Sequence, residues 1–147
     1  MVWSAPREIE ISNILNQIKT IAIVGISANP ERASNAVAKY LLASTDYEIY
    51  FVNPTIDEVF GSPVYPTLAD LPVQIDLVDV FRNSSELPQV FKQAQSINPK
   101  VIWTQLGLVN RELAESASST GLQVVMDKCL KIEHEKRATK LLGRSFP

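Results

Sequence analysis

Residues 20–35 of the chain are TIAIVGISANPERASN, and this stretch decides the fold. It begins with a short apolar run that ends at Gly25, continues through a polar loop, and leads into a segment in which Val37, Tyr40 and Leu41 repeat at helical spacing. A buried strand, a glycine turn and an amphipathic helix in this order are typical of a parallel α/β unit. The stretch therefore predicts a strand, a functional loop and a helix.

Further apolar runs share the length and the branched and aromatic content of the first run. None alternates cleanly between apolar and polar residues, which is typical of strands that are covered on both faces in a parallel sheet. The runs are EIYFVN (48–53), IDLVDVF (75–81), KVIWTQLG (100–107) and LQVVMD (122–127). The shorter SPVY (62–65) predicts an edge strand, because a proline is tolerated in a strand only at an edge or a start.

Helical periodicity fills the segments between these runs. Ser84 and Asn110 predict helix N-termini, and Asp127 is expected to cap the closing helix. The apolar stripes are Ile11, Ile14, Leu15 and Ile18; Leu87, Val90, Phe91 and Ala94; Leu113, Ala114 and Ala117; and Leu130, His134, Ala138 and Leu141.

The alternation of strands and helices predicts one α/β domain over residues 1–147. Its fold class is a Rossmann-like, doubly wound, mostly parallel sheet of about five to six strands with helices on both faces. An N-terminal helix is expected over residues 1–18, and a closing helix over residues 129–143.

Composition narrows the classes of function. The net charge of −2 provides no global basic field for nucleic acid, and the single cysteine allows no internal disulfide. No apolar run approaches the length of a membrane span, and the N-terminal residues lack a signal-peptide pattern. We therefore expect a soluble, cytoplasmic protein with no nucleic-acid or membrane partner; a homo-oligomer or a protein partner stays open.

The loop after the first strand is a candidate phosphate site. Gly25 allows a tight turn, and Ser27, Asn29 and Ser34 are short polar residues ahead of a helix N-terminus. Arg32 adds a fixed positive charge, and free helical N–H groups favour an anion. The alternative is an ordinary capped turn between a strand and a helix.

Two established nucleotide motifs are missing. Only Gly25 of a G-x-G-x-x-G pattern is present, and there is no G-K-[ST] sequence. Asn53 and Pro54 follow the second strand, where NAD-binding folds carry an acidic residue for the ribose. The residues therefore favour a nucleotide other than NAD.

Other strand ends supply further candidates. Phe81 is either a ligand-covering ring or a core residue, and Arg82 either meets a phosphate or pairs with Asp79. Gln105 ends a buried strand, so its amide is expected to have a backbone or ligand partner.

These residues resemble the small stand-alone CoA-binding-domain proteins, which are similar to the CoA-binding domain of the succinyl-CoA synthetase alpha subunit. The matching stretches are IAIVGISANPERASNAVAKYL, YFVNP, GSPVYPTLADLP, DLVDVFR, VIWTQLG and GLQVVMDKC, over roughly residues 18–135. The resemblance implies a Rossmann-like fold and coenzyme A as cofactor. The predicted cofactor-binding residues are Gly25, Ile26, Ser27, Asn29, Arg32, Ser34, Asn53, Pro54, Phe81, Arg82, Gln105 and Gly107.

Arginines and helix N-termini suit the pyrophosphate and 3′-phosphate of CoA. Arg32 and Arg82 are the main candidates, with Lys39 and Lys128 as further ones.

Catalytic chemistry is not expected. The phosphorylated histidine of the synthetases belongs to a further domain that this sequence lacks, and the only histidine, His134, lies on the closing helix. No catalytic or metal-ligating set accompanies it. Cys129 is either a small buried residue or a thiol able to form a mixed disulfide with CoA.

The expected function is therefore non-catalytic binding of CoA or an acyl-CoA by a carrier, sensor or regulatory protein. One alternative is an enzyme that uses NAD(P) or another adenine nucleotide. Another is a partner-binding module with a vestigial pocket, for which Trp3 is either an exposed interface residue or a residue that packs against a helix.

Overall fold

A computed structural model describes residues 3–141, and the side chains of residues 3–138. The helices are α1 (Glu8–Gln17), α2 (Ala33–Ser44), α3 (Leu87–Ser96), α4 (Arg111–Ser118) and α5 (Leu130–Leu141). The strands are β1 (Thr20–Val24), β2 (Glu48–Val52), β3 (Glu58–Val59), β4 (Ser62–Tyr65), β5 (Leu77–Val80), β6 (Val101–Thr104) and β7 (Gln123–Val125).

The strands form one seven-stranded sheet in the order β3-β4-β2-β1-β5-β6-β7. All neighbours are parallel except β3 and β4. The chain winds outward from β1 in both directions, so the Rossmann-like, doubly wound prediction is confirmed. The order reverses between β2 and β5, on either side of β1, and α/β proteins bind their ligands at such a point.

The predicted strand count was too low, because β3 has only two residues. Phe60 and Gly61 have φ angles of 53° and 71°, and this left-handed turn folds β3 back onto β4. The prediction that residues 62–65 form the edge is consequently wrong, since β4 lies between β2 and β3. A two-residue strand carries no periodicity that a sequence pattern could reveal.

Both faces of the sheet are buried, as the continuous apolar runs predicted. Within β1, Ile21 and Ile23 face the layer that contains α1, α2 and α5. The alternate residues Ala22 and Val24 face α3 and α4. All five residues of β1 are buried, which makes β1 the structural centre of the domain.

The N-terminal helix is shorter than predicted and begins at Glu8. Pro6 disfavours helical geometry in the residue before it, and residues 3–7 are not helical. The Glu10 carboxylate accepts from the backbone N–H of Arg7 at 2.8 Å, which satisfies one donor at the helix start. The closing helix begins at Leu130, within the predicted range, and residues 142 and 143 lie outside the described residues.

Helices α1 and α5 are joined by a polar network. Arg137 Nη2 donates to the Glu8 carboxylate, and its Nε donates to Ser12 Oγ at 2.9 Å. Arg137 Nη1 also donates to Glu133 Oε1 on its own helix at 2.9 Å. Because Glu133 and Arg137 are both buried, the pair is held in one geometry.

The predicted helix caps have different outcomes. Asn110 caps α4, since its Oδ1 accepts from the Leu113 N–H at 3.1 Å. Ser84 begins a 3₁₀ turn that leads into α3 at Leu87. The prediction for Asp127 is wrong: its Oδ1 accepts from the Gly107 N–H at 2.7 Å. Within residues 3–141, no helix is long and apolar enough to cross a membrane.

Trp3 is buried, at 8% exposure, so of its two alternatives the exposed interface residue is wrong and the packed residue is favoured. Its Nε1 donates to the Val124 carbonyl of the terminal strand β7 at 3.0 Å. The Arg111 guanidinium lies 5.3 Å from the centre of the Trp3 ring. The N-terminal segment thereby covers the outer edge of β7.

Candidate functional site

A cavity of about 560 Å³ opens at the carboxyl ends of β1, β2, β5 and β6. This is the switch point of the sheet, and the volume is within the range of small-molecule sites. Most of the predicted site residues line it: Gly25, Ile26, Ser27, Arg32, Ser34, Asn53, Phe81, Arg82 and Gln105. The structure thus brings residues from four separate strand ends to one place.

Three predicted residues do not line the cavity. Asn29 shapes the loop instead, since its Oδ1 accepts from the Glu31 N–H at 2.9 Å. Pro54 follows Asn53 in a turn. Gly107 has a φ of 85° and donates its N–H to Asp127. All three act on the shape of the neighbouring loops.

Gly25 brings two strand ends into close contact. Its φ is 90°, and its N–H donates to the Val52 carbonyl at 2.8 Å. A β-carbon at this position would lie 2.0 Å from the Phe81 carbonyl oxygen. Only glycine therefore fits, and its small size lets the β1 loop approach the end of β5.

The N-terminus of α2 faces the cavity. Ser34 Oγ accepts from the Ser27 N–H at 3.0 Å, and Asn35 Nδ2 donates to the Ser27 carbonyl at 2.8 Å. The backbone N–H groups of Ala33 and Ser34 have no partner among the described residues. These two donors and the positive end of the helix dipole are the groups that a candidate anion site needs.

Asn53 joins the end of β2 to the β1 loop. Its Nδ2 donates to the Ile26 carbonyl at 2.7 Å, and its Oδ1 accepts from the N–H and hydroxyl of Thr55 at 2.9 and 2.7 Å. An aspartate would lack the donor and would place a second acceptor against the Ile26 carbonyl. This position therefore needs an amide, which explains why no acid follows β2.

Two arginines give the cavity its positive charge. Arg32 is exposed and has no salt-bridge partner among residues 3–138. Arg82 Nε lies 4.0 Å from the Glu86 carboxylate, a loose contact in which the Arg82 side chain is 25% exposed. Exposed pairs of this kind are weak, so a phosphate can compete for Arg82. The alternative of a pair with Asp79 is wrong.

Asp79 lies inside the sheet and is fully buried on β5. Neither of its carboxylate oxygens has a hydrogen-bond partner in the described part of the chain. Burial raises the pKa of the Asp79 carboxyl well above its ordinary value. The group is consequently a neutral acid over part of the pH range in which ordinary aspartates are charged.

Gln105 and Phe81 line the cavity at the ends of β6 and β5. Gln105 Oε1 is buried and has no partner among the described residues, so the amide has an acceptor available. Phe81 is half-buried and packs against the core while lining the cavity, so the two alternatives for it hold together.

Sequence reasoning did not name several lining residues. They are Ala28, Ala33, Thr55, Ile56, Asn83, Glu86, Leu106 and Leu108. Each lies within four residues of a predicted one, so their proximity in the chain was the available signal. The additional lysine candidates, Lys39 and Lys128, do not line the cavity.

The histidine and the cysteine lie away from this cavity. His134 is buried on α5, and its Nδ1 lies 2.8 Å from the Tyr40 hydroxyl. Burial lowers the pKa of His134. Cys129 is buried in the core and does not line the cavity. Among the described residues, no group of three His, Cys, Asp or Glu side chains is placed to hold a metal ion.

Solved structures are similar to this chain in fold, and curated proteins are similar to it in sequence. A hypothetical protein from Pyrococcus horikoshii OT3 has a TM-score of 0.84 and 38% identity, over 92% of this chain and 98% of that chain. The uncharacterized protein YneT of Bacillus subtilis (strain 168) is 41% identical over 88% of this chain and 95% of its own length.

A longer relative contains only a similar part. Acetate--CoA ligase [ADP-forming] I of Archaeoglobus fulgidus is 25% identical over 76% of this chain, and the match spans 18% of the ligase. The family model CoA_binding_2, described as a CoA binding domain, matches residues 19–135 of this chain. This match includes every strand and the whole cavity, and the chain therefore belongs to the CoA-binding domain family.

Proposed function

We propose that this protein binds coenzyme A or an acyl-CoA in the cavity at the sheet switch point. The observation that carries the proposal is the pair of unpartnered N–H groups at the start of α2, with Arg32 and Arg82 on the same cavity. Phosphate oxygens accept from such donors, and CoA carries both a pyrophosphate and a 3′-phosphate. Membership in the CoA-binding domain family supports the same ligand.

In this proposal the protein performs no chemistry on the ligand by itself. The lining residues contain no nucleophile paired with a base: Ser27 and Ser34 are bonded within the loop, and the half-buried Glu86 lies beside Arg82. A carrier, sensor or regulatory subunit that works in the cytoplasm needs affinity and selectivity from such a site, without a reactive group.

The first experiment is a thermal-shift panel with CoA, acetyl-CoA, dephospho-CoA, NAD, NADP and ATP. A ligand at 100 times its dissociation constant adds about 2.7 kcal/mol to the free energy of unfolding. For a domain of this size the melting temperature rises by on the order of 5–10 °C. A rise with CoA supports the proposal, whereas a rise with NAD or NADP alone contradicts it.

Three charge variants then locate the site by titration calorimetry. Arg32→Ala is expected to lower the affinity for CoA about tenfold and the affinity for dephospho-CoA less, because the proposal has Arg32 bind the 3′-phosphate. Glu86→Gln is expected to strengthen CoA by about twofold to threefold, since it removes the carboxylate beside Arg82.

Lys39→Ala is the matched control, with the same loss of charge on the exposed face of α2 outside the cavity. It is expected to leave the affinity for CoA unchanged. Equal losses in Arg32→Ala and Lys39→Ala would place the effect in the overall charge and reject the assigned site.

A further inference from the structure

The loop after β6 presents apolar side chains at one end of the cavity. Leu106 is 56% exposed and Val109 is 50% exposed, and Leu106 and Leu108 line the cavity. We refer to Leu106, Leu108 and Val109 as the apolar rim. Most of the remaining cavity wall is polar or charged, so this rim is chemically distinct from the anion site.

Hydrogen bonds hold the apolar rim in place. The Leu108 N–H donates to the Gln105 carbonyl at 3.0 Å, which closes a turn, and Thr104 Oγ1 donates to the Leu108 carbonyl at 2.6 Å. The Gly107 N–H donates to Asp127 at 2.7 Å, and the φ of 85° at Gly107 suits the third position of a type II turn. The turn therefore fixes Leu106 in its exposed position.

The strand order places the anion site between two ends of the cavity. The α2 N-terminus follows β1, with β2 on one side and β5 and β6 on the other. At the β2 end, the Asn53 Oδ1 accepts two bonds from Thr55 and its Nδ2 donates to the Ile26 carbonyl. At the β6 end, Gln105 Oε1 has no partner among the described residues and lies beside the apolar rim in the chain.

The chemistry of CoA matches this polarity. Its phosphates lie at one end, its thiol lies at the other, and the connecting pantetheine arm has amide N–H groups. With the phosphates on α2, an arm that extends toward β6 offers these donors to Gln105 Oε1. The thiol end then reaches the apolar rim, where an attached acyl chain would cover exposed leucine and valine surface.

We propose that the apolar rim is the subsite for the acyl chain of a CoA thioester, so that the protein prefers acyl-CoA to free CoA. This inference rests on the proposed function and assigns residues to the acyl part of its ligand. The apolar rim gives affinity in proportion to the apolar area that the chain covers, so affinity rises with chain length.

The test is the ratio of dissociation constants for acetyl-CoA and hexanoyl-CoA, measured by titration calorimetry with free CoA alongside. A half-covered methylene contributes about a factor of two in affinity. The four additional methylenes of hexanoyl-CoA are therefore expected to give a ratio of about 16.

Leu106→Ser removes apolar surface from the rim at an exposed position, where substitution is tolerated. The ratio in this variant is expected to fall below about 4. Leu42→Ser is the matched control: Leu42 is 45% exposed on α2 and does not line the cavity. Its ratio is expected to equal that of the unchanged protein.

The outcomes separate this inference from the proposed function. Binding of free CoA with a ratio near one rejects the acyl subsite and leaves the proposed function intact. A high ratio that Leu106→Ser does not lower also rejects the subsite, because the chain then lies elsewhere. If neither CoA nor either thioester binds, both proposals are overturned.

Discussion

The α-carbon of Gly25 lies so close to Phe81 that a β-carbon at position 25 would stand 2.0 Å from the Phe81 carbonyl oxygen. The obstacle is backbone at the end of β5, which cannot rotate away as a side chain would. This contact sets the spacing between the β1 loop and the β5 end, and both segments line the cavity.

Gly25→Ala is expected to lower the free energy of unfolding by at least about 4 kcal/mol or to prevent folding. The variant combines a left-handed φ with the clash against Phe81. Urea denaturation followed by circular dichroism measures the loss.

Gly121→Ala is the matched control. Gly121 also has a φ of 90°, but a β-carbon there meets nothing within 4 Å. Its expected cost is therefore the conformational part alone, roughly 1–2 kcal/mol. Similar losses in the two variants would show that the approach to Phe81 has no energetic consequence.

Asp79→Asn is expected to change how stability depends on pH. Because burial raises the pKa of Asp79 in the folded state, the unfolded chain releases this proton first as pH rises. The contribution of Asp79 to the free energy of unfolding is fully present below pH 3.8, its ordinary pKa. This contribution is lost as pH rises toward the folded-state pKa. In that window the slope approaches about 1.4 kcal/mol per pH unit, and Asp79→Asn removes it.

Asp76→Asn is expected to change the pH dependence of stability in the opposite direction. Burial works to raise the pKa of Asp76, but the N–H groups of Lys19 and Thr20 and the Lys100 ammonium outweigh it and lower the pKa. Asp76 therefore stabilises the fold above pH 3.8 and loses this contribution in acid. Urea midpoints measured from about pH 2.5 to 8 should diverge for the two variants, because Asp76 acts below pH 3.8 and Asp79 above it. Parallel curves would contradict the assignment of Asp79.

Asn53→Asp is expected to cost about 1–3 kcal/mol of stability, because the donor to the Ile26 carbonyl is lost. It should also lower the affinity for CoA, because it adds a negative charge to the cavity. Thermal denaturation and calorimetry measure the two effects separately.

Asn83→Asp adds the same charge to the same cavity without removing that donor. It is expected to weaken CoA while leaving stability nearly unchanged. A stable Asn53→Asp protein would mean that the bond from Asn53 to the β1 loop does not support the site.

Trp3→Ala is expected to destabilise the protein by roughly 3–5 kcal/mol, since a buried indole and its bond to Val124 are lost. It also uncovers the outer edge of β7, so the variant should associate at high concentration. Light scattering and urea denaturation follow both effects. Ile9→Ala, at a position that is 58% exposed in the same region, should change neither.

The strands of the central sheet could be predicted because both of their faces are covered. The runs around β1 and β5 contain only residues that suit burial, apart from Asp79, and the spacing between β1 and β2 leaves room for one helix. The polar loop after β1 then placed the candidate site at the switch point. The position of the candidate site follows from the strand order, and the alternation of strands and helices in the sequence indicates that order.

Other features depended on contacts that no local pattern reveals. Asp127 has a φ of 60°, and its carboxylate accepts from Gly107 on another loop, so a cap based on sequence position failed. Trp3 became buried through a partner 121 residues away. Ile56 and Leu106 line the cavity because strands distant in sequence end side by side.

The network between Glu8 and Arg137 has a consequence for how this domain is incorporated into longer chains. It binds the first and last helices of the fold side by side, so a polypeptide enters and leaves the domain at one location. Such a domain can be inserted between other domains with little strain, because its two junctions need not be far apart. The acetate--CoA ligase of Archaeoglobus fulgidus contains a similar segment that makes up 18% of its length.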